Sequence, residues 1–352
     1  MGKKIRVMVI DDSAFYREAI ANMLKQSPYI DVVGRAVDGS EGIKLISKLN
    51  PDVITLDLEM PNINGFGVLR WIMKNRPLPV IIISSINDGT NTFKALEIGA
   101  SDFLAKPCKR ATLDIMKVKN ELINKIRAIA YIPKEKLHSR ISSNSWGLDG
   151  KIIQKFHTKR EADIKRLIAI GSSTGGPKAL HSILTVLPKG FPAAIVISQH
   201  MPTGFTWHFA ERLNNHSLIN VKEADDGDKV EMGTAYISPG GFHMAFSNGN
   251  DIPGIKLTKT QKSDIYTPSI DIMMNSAAEI FKEKTIGIIL TGMGSDGKEG
   301  MKKIKNNAGY TIAESKETAY INGMPNEAIK SGAVDKVLSL PKIVVDIIQK
   351  CM

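Results

Sequence analysis

The stretch Ile5-Arg6-Val7-Met8-Val9-Ile10-Asp11-Asp12 is a short apolar run that ends abruptly in two carboxylates. Its length suits a β-strand rather than a helix. Phe15, Ala19, Met23 and Leu24 follow at helical spacing, and Val32–Ala36 reads as a second strand. Glu41–Leu49 is helical and stops before Pro51, where proline ends the pattern. The rhythm then repeats. Strands are expected at Val53–Leu56, Val80–Ile83 and Asp102–Ala105, with helices at Phe66–Lys74 and at Thr92–Ile98, which ends at Gly99. A fifth helix carries Leu113, Met116, Leu122, Ile126 and Ile129. This alternation predicts an α/β fold, (βα)5, with a parallel sheet covered on both faces.

In such sheets ligands bind beyond the carboxyl ends of the strands. Here those ends carry Asp11 and Asp12, then Asp57, then Ser84, then Lys106 and Pro107. Carboxylates crowded on one edge repel each other, and a hard divalent ion with oxygen ligands, Mg2+, would relieve that. Asp57 is then a nucleophile able to form an acyl phosphate. Lys106 and the Ser84 hydroxyl would pair with phosphate oxygens. Each acid alone also reads as a loop or cap residue; the ordered set is what singles them out.

That set resembles the receiver domain of two-component response regulators, a flavodoxin-like fold. The resemblance implies phosphorylation at Asp57. It implies Mg2+ held by Asp11, Asp12, Asp57 and the backbone carbonyl of Glu59. It also implies a switch made by Ser84, Lys106 and the aromatic Phe103.

The chain has 352 residues, enough for about two domains. Its longest apolar runs, Val80–Ile83, Ala193–Ile197 and Ile286–Leu290, are too short to span a membrane, and no secretory signal is evident. Two cysteines, Cys108 and Cys351, cannot build a disulfide framework, so a reducing cytoplasm is expected. The net charge of +11 raises the question of nucleic acid. Residues 1–130 hold 19 basic against 14 acidic side chains, residues 131–162 hold 7 against 3, and residues 163–352 hold 21 against 19. A DNA-reading second half should carry its own basic excess, so no nucleic-acid partner is expected.

The periodicity lapses between Tyr131 and Asp163, and Ser139–Gly150 is rich in Ser, Asn and Gly. This predicts a receiver over 1–128, a linker over 129–162 and a second domain over 163–352. The second domain is expected to be doubly wound, mostly parallel α/β. Its strand candidates are Leu167–Ile170, Ala194–Ser198, Ala235–Ser238 and Ile286–Leu290, and its helix candidates include Ala179–Leu187 and Ile270–Phe281.

Gly171-Ser172-Ser173-Thr174-Gly175-Gly176 places Ser173 at the centre of a G-x-S-x-G match between a strand and a helix. The glycines permit a sharp turn and leave backbone N–H groups to face an oxyanion. By itself the loop also fits a phosphate-binding loop or a plain turn, although it lacks the Gly-Lys-Ser/Thr ending of a P-loop. Two further strand ends carry partners. Ser198-Gln199-His200-Met201-Pro202 offers a base in His200, and Thr291-Gly292-Met293-Gly294-Ser295-Asp296-Gly297 offers Asp296 to orient it. The chain order Ser, His, Asp differs from that of α/β-hydrolases. His181, His208, His216 and His243 have no such setting, and no H-E-x-x-H zinc motif is present.

Together these segments resemble the CheB family of chemotaxis response regulators with protein-glutamate methylesterase activity. The matching stretches are Ile170–Gly176, Gln199–Pro202, Tyr236–Gly240 with His243, Thr291–Gly297 and Gly323–Ile329. The resemblance implies a phosphorylation-activated hydrolase, with Ser173, His200 and Asp296 as triad and no cofactor for the ester chemistry. Its substrates would be glutamate γ-methyl esters, and certain glutamines, on methyl-accepting chemoreceptors. A chemotaxis histidine kinase would be the phosphodonor. Met293 is the candidate for the oxyanion region. Thr267 and Asn326 stand where many members have arginine.

Overall fold

The computed structural model describes residues 3–85, 88–106, 112–138, 166–247, 253–261 and 263–351. Pro107, Cys108 and most of the expected linker, from residue 139 on, lie outside the described residues. The chain divides into two compact units, Met1–Arg140 and Ile141–Met352.

The first unit runs β1 (Ile5–Ile10), α1 (Ala14–Lys25), β2 (Ile30–Ala36), α2 (Gly39–Leu49), β3 (Val53–Asp57), α3 (Gly65–Asn75), β4 (Val80–Ser84), α4 (Gly89–Ile98), β5 (Asp102–Ala105), α5 (Thr112–Ile129) and α6 (Lys134–His138). Its strands pair in parallel in the order β2-β1-β3-β4-β5. The alternation predicts the (βα)5 parallel sheet, and this strand order is the flavodoxin-like one that the receiver resemblance implies. Strands β3 and β4 are buried along their whole length, which explains their largely apolar composition up to the terminal Asp57 and Ser84. Leu122, Ile126 and Ile129 of α5 are buried as their spacing requires, while the side chains of Leu113 and Met116 lie outside the described residues. Local chemistry sets the helix ends. Asp38 caps α2 by accepting the Glu41 N–H, and Glu41 returns the favour to the Val37 N–H. Asn50 closes α2 in the left-handed region at φ 49°.

The second unit runs β6 (Leu167–Ser172), α7 (Gly176–Leu184), β7 (Ala194–Gln199), α8 (Phe205–His216), β8 (Asn220–Glu223), β9 (Thr234–Ile237), β10 (Phe242–Ser247), β11 (Gly254–Lys259), α9 (Ile270–Phe281), β12 (Thr285–Ile289), α10 (Lys298–Asn306), β13 (Tyr310–Glu314), α11 (Gly323–Lys330), β14 (Lys336–Leu338) and α12 (Leu340–Cys351). Among the described residues, seven strands form a parallel sheet in the order β14-β13-β12-β6-β7-β9-β8. Strands β10 and β11 form a separate antiparallel pair, with Phe242 opposite Lys259. Ser276 of α9 ties that pair down through the Phe246 N–H. The core beneath it includes Met244, Ile270, Met273, Met274, Ala277 and Met301.

Both sheets reverse their strand order at the first strand of the unit. In the first, β1 lies between β2 and β3; in the second, β6 lies between β12 and β7. Crevices open beyond the carboxyl ends at such switch points. The singled-out residues follow these strands: Asp11, Asp12 and Asp57 in the first unit, and Ser173, His200 and Asp296 in the second.

Candidate active site

At the first switch point, ligand atoms of Asp11, Asp12 and Asp57 all lie within 4.8 Å of one another. Lys106 Nζ bonds Asp57 Oδ2 at 2.7 Å and lies 5.0 Å from the centroid of the Tyr16 ring. Asp11 Oδ1 accepts the Ser13 N–H at 2.9 Å, but the buried Asp11 Oδ2 has no partner among the described residues. Burial, and then the charge of Asp57, push the Asp11 carboxyl up to about 6. Burial also raises Asp57 despite Lys106, while Asp57 keeps Lys106 above the usual lysine range against the pull of burial. An orphaned buried oxygen inside a self-repelling carboxylate cluster suits a hard cation such as Mg2+. The Glu59 N–H donates to Asp57 Oδ1 at 3.4 Å.

Of the three expected switch side chains, Lys106 pairs with Asp57 and the other two, Ser84 and Phe103, meet α4. The Ser84 hydroxyl accepts the Thr92 hydroxyl at 2.7 Å. Phe103, 4 % exposed, meets the Phe93 ring edge to face at 6.0 Å.

In the second unit the parallel register pairs Ser172 with Gln199, so Ser173 and His200 are the next residues along β6 and β7. The Gln199 carboxamide ties these ends together. Its Oε1 accepts the Ser172 hydroxyl at 2.7 Å, and its Nε2 donates to the carbonyls of Ser173 and His200, each at 3.0 Å. Gly175 takes φ 82°, and a Cβ on Gly176 would lie 2.0 Å from Gln199 Oε1. The turn therefore needs both glycines. A Cβ on Gly292 would lie 2.8 Å from Ser173 Cβ, which brings the Gly292–Gly294 loop against the serine.

One expectation needs correcting. The Ser173 N–H is not open to an oxyanion, because it donates to the Thr291 carbonyl at 3.0 Å, and the Gly176 N–H donates to the Ser173 carbonyl at 2.8 Å. The Met293 N–H, by contrast, has no acceptor among the described residues.

His200 Nε2 lies 2.8 Å from Asp296 Oδ2. The carboxylate keeps the proton on Nε2 and leaves Nδ1 as the basic nitrogen, the reverse of the usual serine-protease arrangement. Asp296 is 2 % exposed and held by further donors. The Ile270 N–H reaches Oδ2 at 2.8 Å, and the Asp271 N–H, the Gly297 N–H and the Ser269 hydroxyl reach Oδ1 at 3.0, 3.1 and 3.3 Å. Burial works against its charge, but His200 and these amides outweigh it and hold the carboxyl below the usual range. The Tyr266 ring stacks on His200 at 5.1 Å with 8° between the planes. Among the described residues no hydrogen bond joins the Ser173 hydroxyl to the His200 ring; such bonds often tighten only once substrate is bound.

Several participants escape a reading of motifs. Glu314, at the end of β13, accepts the Thr291 N–H at 2.8 Å. Asp264, which no motif singles out, forms a second histidine–aspartate pair at 2.9 Å with His243, a residue of the matching stretches that lacks a strand-end setting. Among the other histidines, the His181 and His216 rings lie 5.6 Å apart and His208 meets Trp207, all on α7 and α8. Thr267 is exposed and Asn326 lies in the first turn of α11, donating its N–H to Asn322.

The chain matches the CheB methylesterase family model over residues 168–347 and the response regulator receiver domain model over residues 7–116. It is 43% identical to a Geobacter sulfurreducens protein called protein-glutamate methylesterase/protein-glutamine glutaminase 3, over 99% of this chain and 98% of that one. A Thermotoga maritima protein with the same enzyme name is 43% identical, over 96% of each chain. The crystal structure of the Thermotoga maritima CheB methylesterase catalytic domain superposes with a TM-score of 0.52 at 46% identity, covering 53% of this chain and 99% of that one. With a receiver in front and this domain behind, the chain belongs to the CheB methylesterase family.

Proposed function

We propose that this chain is a phosphorylation-activated hydrolase that demethylates glutamate γ-methyl esters on chemoreceptors and deamidates glutamines there. Residues 1–128 serve as its receiver, 129–162 as the connecting segment and 163–352 as the catalytic domain. The substrate and a histidine-kinase phosphodonor assign it to the cytoplasm. No described helix is long and apolar enough to cross a membrane.

The carrying observation is the 2.8 Å bond from His200 Nε2 to a caged Asp296, one register step from Ser173. His200 Nδ1 takes the Ser173 hydroxyl proton as the serine oxygen attacks the ester carbonyl. The Met293 N–H supports the oxyanion. The imidazolium, stabilised by Asp296, gives its proton to the leaving methoxide and releases methanol. A water, deprotonated by His200, then hydrolyses the acyl-enzyme and restores the serine. A glutamine substrate follows the same course with ammonia leaving.

In the receiver, Asp57 accepts the phosphoryl group, and Lys106 and Ser84 bind its oxygens. Asp11, Asp12, Asp57 and the Glu59 carbonyl would hold Mg2+, whose charge screens the carboxylates from an incoming phosphoryl group.

The test is methanol release from methylated receptor by the full chain. Ser173→Ala should abolish it with the fold intact, and substantial retained turnover would sink the triad. Asp57→Asn should lose stimulation by a phosphodonor; equal stimulation of both proteins would defeat the gating.

A further inference from the structure

His243 lies on β10 and is 6 % exposed. Both of its ring nitrogens are engaged. Ser269 donates its backbone N–H to Nδ1 at 3.0 Å, and Nε2 lies 2.9 Å from Asp264 Oδ2. A backbone N–H can only donate, so Nδ1 carries the lone pair and Nε2 carries the proton given to Asp264. Asp264 is fixed in turn, because its Oδ2 accepts the Gln261 N–H at 2.6 Å.

Ser269 is the cap of α9. Its hydroxyl accepts the Ile272 N–H and donates to Asp296 Oδ1, each at 3.3 Å. The next two amides, of Ile270 and Asp271, also donate to Asp296. The Ser269 amide does not reach Asp296; it is the one that His243 holds. A histidine that only filled space here could be an aliphatic residue, but that would leave the part-buried Ser269 N–H without its acceptor.

We infer, on the premise of the Ser173–His200–Asp296 triad proposed above, that His243, oriented by Asp264, is a positioning residue. It anchors the Ser269 amide so that the next two amides, of Ile270 and Asp271, aim the Asp296 carboxylate at His200. It acts through Asp296 and touches no reacting atom.

The test measures kcat and KM separately for methanol release by the full chain. His243→Leu removes the acceptor, whereas His243→Asn keeps an oxygen near the place of Nδ1. His243→Leu should lower kcat about ten- to a hundredfold, the scale on which small misplacements act, with KM within about twofold. His243→Asn should recover kcat to within about fivefold of wild type. Asp264→Ala, at a less buried position, should lower kcat in the same direction by a smaller factor. It also serves as the deciding variant if His243→Leu does not fold. Wild-type kcat in His243→Leu or in Asp264→Ala overturns the inference, as does a change confined to KM or equal losses in the Leu and Asn variants. Ser173→Ala is run alongside. Turnover retained there removes the triad and this inference with it, whereas an inactive Ser173→Ala beside a fully active His243→Leu removes the positioning role alone.

Discussion

Ser173 donates its backbone N–H to the carbonyl of Thr291 at 3.0 Å, so the candidate nucleophile's own amide is committed to the scaffold. Thr291 passes the restraint on, giving its N–H to Glu314 Oε2 at 2.8 Å and its hydroxyl to the Thr174 carbonyl at 2.8 Å. The serine turn is thus pinned from strand β12 and, behind it, from a buried carboxylate on β13. On the facing Gly292–Gly294 loop the Met293 N–H is uncommitted among the described residues, which is the ground for proposing it as the oxyanion donor.

Glu314 should therefore matter to the turn without touching substrate. Glu314→Leu leaves the Thr291 N–H buried and unpaired, which costs about 2 kcal/mol. Glu314→Gln keeps an acceptor oxygen and should cost less than half of that. Urea unfolding of the catalytic unit in the full chain checks the ranking, and equal losses in the two variants would refute it.

Asp296→Asn should be more damaging than a simple loss of charge. The carboxylate accepts from His200 with one oxygen and from amides on both. An asparagine has one acceptor oxygen, so its NH2 must face either the ring or an amide donor. The ring then loses its tautomer control, for which a triad pays about 10⁴ in rate. We expect kcat for methanol release to fall by at least about a thousandfold, on the scale of that precedent. A loss under tenfold, with the protein folded, would contradict the assigned role.

The two regions differ in how far the sequence foretells them. The receiver was legible because its strands are short apolar runs with the chemistry at their ends, as in Ile10 followed by Asp11 and Asp12. The same holds for Ser173 and His200, each placed just past a parallel strand, and for Asp296 in the loop that follows β12. Strand β10 runs Met244, Ala245 and Phe246 together without the clean alternation that marks a half-buried strand, and β11, though Ile255 and Leu257 alternate with Lys256 and Thr258, is short and largely polar. Glu314 and Asp264 lie far along the chain from the groups they serve, and only the fold joins them. That Ser173 gives up its amide to Thr291 depends on strand register, which no local pattern encodes.

Asp271 supplies a pH signature. Burial, followed by the neighbouring charge of Asp296, pushes its carboxyl up to about 6 from 3.8. The folded state thus holds this proton more tightly than the unfolded chain. Stability tied to Asp271 is present below about 4 and is lost as pH rises through about 6. Asp271→Asn keeps an oxygen for the Gly300 N–H, which Oδ1 accepts at 2.6 Å, and removes the charge. Its advantage over wild type should be near zero at about pH 4 and grow to about 1 kcal/mol at about pH 7, discounted because the group is partly solvated. Denaturant midpoints of the two proteins at several pH values check this, and an advantage that shrinks with pH would be the wrong sign.

Lys125 of α5 is the buried charge on which the end of the receiver sheet depends. Its Nζ lies 2.6 Å from Asp102 Oδ2 and 3.6 Å from Glu121 Oε1, and 5.9 Å from the centroid of Phe103, the expected switch aromatic. Burial works against its charge, but Asp102 and Glu121 outweigh burial and hold it above the usual lysine range. A raised lysine contributes its stability throughout the neutral range and loses it only as pH climbs past about 10.4. Lys125→Met leaves Asp102, which is 4 % exposed, as a buried charge without its ammonium. Breaking such a pair costs about 3–5 kcal/mol, whereas replacing both partners is far milder. Asp102→Asn keeps an oxygen for the Phe103 N–H, which Oδ1 accepts at 2.8 Å. Adding it to Lys125→Met should therefore restore at least about half of the lost stability. Hydrogen exchange of the β4 and β5 amides in the full chain reads the outcome. A double variant no more stable than Lys125→Met would show that the lysine works through packing on Phe103 rather than by neutralising Asp102.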